Sequence, residues 1–161
     1  MGKSNFERLV QLADEVFEVR NDPDQLDVNP EVLEKLRKIH PSTISDYDEG
    51  EGPVAWILLI PTTIKLMKQF LNNEITEKQL FERTPLGTAY ESIYLCSALV
   101  LEEYRRKGIA KKLSFQAIEN IRKDHQINCL FYWPFTEEGE FAAENLAKSV
   151  GLPLYKFEVL G

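Results

Sequence analysis

The sequence predicts an α/β fold, with helices separating the strands of its second half. Three observations carry this. Residues 53–60 and 92–101 are long apolar runs without polar alternation, as expected for strands covered on both faces. Segments of helical periodicity separate the strands of the second half, which makes neighbouring strands parallel wherever a helix crosses over. Finally, 161 residues with 43% hydrophobic and 28% charged side chains suffice for one domain with a real core, spanning 1–161.

The elements follow in order. Ser4-Asn5-Phe6-Glu7 is a capping box, and Phe6, Leu9, Val10, Ala13, Val16 and Phe17 recur at helical spacing, which predicts a helix over 5–19. Asn21-Asp22-Pro23-Asp24 breaks it. Asn29 as N-cap and Pro30 at the first helical position open a second helix, with Val32, Leu33, Leu36 and Ile39 on one face. His40-Pro41 ends it. A short strand over 43–47 and a turn over 48–52 lead into the strand 53–60, which Pro61 is expected to close. Residues 63–82 are helical in two pieces, the second opened by the capping box Thr76-Glu77-Lys78-Gln79. The strand 92–101 passes through a charged turn, 102–107, into a helix over 108–122 striped by Ile109, Ala110, Leu113, Ala117, Ile118 and Ile121. A strand over 127–133, a helix over 138–150 ending at Gly151 as a left-handed C-cap, and a strand over 154–160 complete the chain.

Composition excludes several functions. A net charge of −7 and a pI near 5.0 argue against nucleic acid as a partner, because phosphate binding needs clustered cations. Cys96 and Cys129 lie in apolar runs and read as buried, reduced thiols. With no CxxC spacing and with His40 and His125 isolated, no metal site is expected. The N-terminus is polar at once, Gly2 lacks the Ser or Thr at position 6 of a myristoylation motif, and the longest apolar run, 54–60, is far too short for a bilayer. A soluble, cytoplasmic protein with no membrane partner is expected.

The charged turn is the informative stretch. Arg105, Arg106, Lys107, Lys111 and Lys112 place five of the 19 basic residues in eight positions, with no acid between Glu103 and Glu119. Cations at a helix N-terminus oppose its dipole and cost roughly 0.3–1 kcal/mol each. Helix stability alone would place Asp or Glu there. The arrangement makes sense if an anion occupies the site, with main-chain N–H groups converging on phosphate oxygens and Gly108 allowing a close approach. A solvated basic turn, whose glycine merely starts a helix, is the alternative. A Walker loop and a dinucleotide fingerprint are both absent, since the turn holds a single glycine followed by Ile109-Ala110-Lys111-Lys112.

Arg105-x-x-Gly108-x-Ala110, after an apolar strand and opening a helix, resembles the Arg/Gln-x-x-Gly-x-Gly/Ala signature of the GNAT acetyltransferase superfamily. The downstream order of helix, strand, helix and strand resembles it too, over roughly residues 53–161. The resemblance implies acetyl-CoA as cofactor. Its pyrophosphate would be held by Arg105, Arg106, Lys107, Gly108, Ile109, Ala110 and Lys111, chiefly through main-chain amides. Its pantetheine arm would lie along Leu99, Val100 and Leu101, and an N–H near Val100 would polarise the thioester carbonyl. The fold implied is the α/β GNAT acyl-CoA N-acyltransferase fold, a central mixed sheet flanked by helices, here with extra N-terminal helices and a helical insertion at about 63–85.

The chemistry the resemblance implies is acetyl transfer to a primary amine, of a small molecule or a peptide, by direct attack in a ternary complex. Such an amine is neutral in only about one part in a thousand at pH 7, a penalty of about 4 kcal/mol. The leaving thiolate also needs a proton. The tyrosine that serves as acid in many relatives corresponds to Ala147, the asparagine near the start of that helix to Glu140, and the central-strand base position to Tyr94. Tyr94 is therefore the candidate for proton transfer, or else a packed strand tyrosine. Ser92 and Cys96 share its strand parity and are expected at the same cleft, though Cys96 has no histidine to make it a nucleophile. Tyr132 and Trp133 are placed either in the acceptor pocket or in the core. Asp46, Asp48, Glu49 and Glu51 form an acidic loop that either attracts a cationic substrate or is simply solvated. A homodimer stays open. The alternative to an enzyme is a non-catalytic acyl-CoA-binding or interaction module on the same fold.

Overall fold

A computed structural model describes residues 4–20, 30–134 and 137–157. Among the described residues five strands form one sheet in chain order: β1 (Ile44–Asp48), β2 (Pro53–Thr62), β3 (Ser92–Val100), β4 (Cys129–Tyr132) and β5 (Leu154–Lys156). β1, β2 and β3 are antiparallel neighbours, whereas β3, β4 and β5 run parallel. The helices are α1 (Asn5–Arg20), α2 (Pro30–Ile39), α3 (Ile64–Leu71), α4 (Glu77–Arg83), α5 (Ile109–Asp124) and α6 (Glu137–Val150). α5 and α6 are the crossovers that make β4 and β5 parallel to β3, as the periodicity predicts. The α/β fold and its mixed sheet are as expected.

Residue alternation sorts the helices. Ile60, Tyr94 and Phe131 lie opposite one another on one face. There Phe70 of α3 meets Tyr94 at 5.2 Å, Phe131 at 5.9 Å and Phe157 at 5.1 Å between ring centroids. α1 covers the far end of the same face, where Leu9 packs on Val54 and Leu101, and Phe6 sits edge-on to Trp56. The other face is closed by Leu113, Ala117, Ile118 and Ile121 of α5 and by Leu146, Ala147 and Val150 of α6. At the C-terminal end of α5, His40 Nε2 lies 2.7 Å from Asp124 Oδ2, joining α2 to α5.

Several boundaries differ from the sequence expectation. β2 runs through Pro61, which pairs with Ile93, rather than stopping there. Leu59 donates its N–H to Thr43, so the N of Pro61 is turned the same way, beyond the first residue of β1. Among the described residues no ladder partner waits there for the missing donor. β4 and β5 are shorter than expected, although the Phe157 N–H still bonds to the Tyr132 carbonyl. The expected cap Asn29 and residues 158–160 of the last strand lie outside the described residues. The register between β2 and β3 slips between Leu58 and Leu59, so Cys96 has no directly opposed residue and the even-residue parity assumed for Ser92, Tyr94 and Cys96 is broken. The fold's decisive feature is unequal pairing. β3 pairs with β2 along its whole length, but with β4 only from Ser92 to Leu95.

Candidate functional site

Beyond Leu95 the two parallel strands part, and among the described residues no strand pairs with the second half of β3 on that side. Leu101 donates its N–H to Val54 at 2.9 Å, which makes Leu101, Leu99 and Ser97 the residues that bond to β2. The main-chain groups of Val100 and Ala98 therefore face the opening. Of the three residues expected along the cofactor arm, Leu99 and Leu101 direct their polar groups to β2, and the Leu101 side chain is buried against α1. Val100 faces the gap together with Ala98, a residue the sequence did not single out.

The chain then makes a single 3-10 turn, Glu102–Tyr104. Arg8 of α1 fixes it through Glu103 at 2.6 Å, and this contact pulls the Glu103 carboxyl below its ordinary value. Arg105 is extended, with φ −70° and ψ 155°. Arg106 (φ 66°) and Gly108 (φ 76°) both take the left-handed conformation, which costs a residue with a side chain about 1–2 kcal/mol. Gly108 caps α5 with no side-chain cap bond and no acid in the first turn. The first helical bond runs from Lys112 N–H to the Gly108 carbonyl at 3.0 Å. The N–H groups of Ile109, Ala110 and Lys111 therefore have no acceptor within the helix. A Cβ built on Gly108 would meet nothing within 4 Å, so glycine is favoured there by its φ rather than by crowding, and the space beside it is open. Arg105, Arg106, Lys107, Lys111 and Lys112 are all exposed around it, with Lys107 Nζ 5.3 Å from the Tyr104 ring centroid.

An uncapped, cationic helix start beside an open strand edge suits a ligand with an anionic end and an extended amide-bearing arm. The sequence matches the acetyltransferase (GNAT) family over residues 6–152. The chain belongs to the GNAT acetyltransferase family. Membership implies acyl-CoA-dependent acetyl transfer, with amines as the general class of acceptor. No curated protein and no solved structure matches the chain.

The remaining residues expected at the GNAT site are distributed as follows. Tyr94 is 1% exposed, and its hydroxyl donates to Glu77 Oε2 of α4 at 2.5 Å, with Phe70 and Phe131 around the ring. The structure thus turns Tyr94 toward α4 and does not bring it to the opening. Its partner Glu77, also 1% exposed, was missed: an acid beside a capping threonine reads as an exposed complement to the helix dipole. Ser92 is buried, its hydroxyl 3.3 Å from the Thr62 carbonyl. Tyr132, the last residue of β4, and Trp133, just beyond it, turn to opposite sides of the sheet. Tyr132 lines an open groove of about 610 Å³ under α6 with Glu140, Glu144, Ala147 and Lys156, and burial followed by Glu140 pushes its phenol pKa up. Trp133 packs edge-on against Phe70 and Phe157. Glu140 is engaged by Lys156 at 2.5 Å. In the acidic loop, Asp48 accepts the N–H groups of Gly50 and Gly52, so at least this carboxylate shapes its own turn. Among the described residues no His, Cys, Asp and Glu side chains gather into a metal site, and no helix is long and apolar enough to cross a membrane.

Proposed function

We propose that this chain is an acetyl-CoA-dependent N-acetyltransferase acting on a primary amine of a small molecule or peptide, by direct attack in a ternary complex. The observation that carries the reading is the uncapped, cationic start of α5 lying at the end of the half-paired strand β3. The amides of Gly108, Ile109, Ala110 and Lys111 hold the diphosphate, aided by the charges of Arg106, Lys107 and Lys111. The unpaired edge of β3 takes the pantetheine arm as an added strand would, the Val100 carbonyl being already bonded by Arg105, and Leu99 and Leu101 anchor that edge to β2. The cofactor supplies the acetyl group as a thioester. The Val100 N–H is the donor we assign to the thioester carbonyl oxygen. Tyr132, at the last rung before the strands part, and Trp133, on the opposite face, wall the two sides of the acceptor pocket. We read residues 1–161 as one domain, with α3 and α4 as a helical insertion.

A second reading, an acyl-CoA-binding module without turnover, is favoured by Tyr94 being sealed against Glu77, together with the family resemblance, which puts Ala147 at the place of the usual acid. Calorimetry with acetyl-CoA followed by thiol release across a panel of amines separates the two. Binding with turnover on any acceptor supports the enzyme. Binding without release on a broad panel supports the module, and no binding overturns both.

A further inference from the structure

The side chain of Arg105 is engaged within the protein: its Nε donates to the Val100 carbonyl at 3.0 Å. That carbonyl belongs to the open side of β3, next to the N–H assigned above to the thioester oxygen. Arg105 is also the residue from which the chain enters the left-handed Arg106, and so the turn that leads to the α5 amides. One hydrogen bond thus ties the strand edge to the phosphate turn. The exposed cations Arg106, Lys107, Lys111 and Lys112 supply positive charge without it.

We propose that Arg105 is a positioning residue, whose guanidinium holds the end of β3 at a fixed spacing from the α5 amides and does not act as a phosphate ligand. This rests on the acetyltransferase reading. The chemistry distinguishes the two roles sharply. The donor in use is Nε, which is bonded to Cδ. Glutamine carries its amide nitrogen on the same carbon, so it can donate from the same place with no charge. Lysine keeps the charge but has a methylene where Nε stands. A clamp tolerates Gln and not Lys; a phosphate ligand tolerates Lys and not Gln.

The first test needs no cofactor. In the 15N,13C-labelled chain, the Arg105 Nε–H is expected to exchange slowly and to show scalar coupling across the hydrogen bond to the Val100 carbonyl carbon. An Nε–H exchanging as in a free arginine overturns the proposal. The second test compares acetyl-CoA with S-acetyl-pantetheine, which lacks the phosphates. Arg105→Ala should lower kcat/KM by about tenfold for both donors, Gln should restore most of it and Lys should not, with unchanged thermal midpoints. A loss confined to acetyl-CoA and restored by Lys overturns the proposal. A wild-type chain that binds no coenzyme A would instead overturn the acetyltransferase reading, and the Nε measurement alone then decides the contact.

Discussion

Two helix starts in this molecule solve the same problem in opposite ways. At α4, Thr76 accepts the Gln79 N–H, the Gln79 side chain accepts the Thr76 N–H, and an acid, Glu77, stands in the first turn. At α5, a left-handed glycine replaces the cap, the first turn holds no acid, and cations surround the end. α4 is complete within the chain. α5 leaves its donors and its dipole for something outside it, and that contrast locates the site better than any single residue.

The largest effect is expected where the open end is filled. Gly108→Asp puts a side chain on a backbone with φ 76° and a carboxylate among the free amides. Coenzyme A affinity should fall by about a hundredfold or more in calorimetry. Full affinity in this variant would break the comparison. Next comes the buried pair beside α4. Tyr94→Phe removes the hydroxyl that Glu77 accepts and should cost about 1–3 kcal/mol in denaturant unfolding, with coenzyme A binding retained. Thr76→Ala should cost about 1 kcal/mol of stability and leave coenzyme A affinity unchanged, because that cap serves only the fold.

The smallest effect concerns pH. Burial raises the pKa of Cys129, Tyr90 and Tyr132, so each stays protonated in the folded chain after its unfolded counterpart has ionised. Their contribution is complete below the ordinary pKa of each group and is lost as pH rises from there toward the raised value. Unfolding free energy should decline from about pH 9 upward. Stability that increases over that range would contradict these three directions.

The contrast between the helix starts was partly legible in the sequence. Capping boxes, the apolar stripe of α5 and the misplaced cations are local patterns, and each led to the right element. What escaped depends on partners distant in the chain. The opening beside β3 follows from where β4 stops pairing, and the 92–101 run carries no mark of it. Pro61 was expected to end β2 because a proline shows its missing donor but not which neighbour that donor would have faced. The register slip at Cys96 changes no residue type, so the parity of Ser92, Tyr94 and Cys96 had nothing to warn against it. Glu77 looked like a surface acid because burial of its carboxylate is decided by Tyr94, seventeen positions later. The basic turn showed its charge, but not that one of its arginines is committed to Val100.

The central claim is that main-chain donors at the start of α5 receive a diphosphate. It is tested most directly by following the amide 1H–15N resonances of Gly108, Ile109, Ala110 and Lys111 during titration with coenzyme A and, separately, with pantetheine. The expected result is large, saturable shifts of these four amides with coenzyme A and small ones with pantetheine. Amides that stay in place while coenzyme A binds elsewhere on the chain would contradict it.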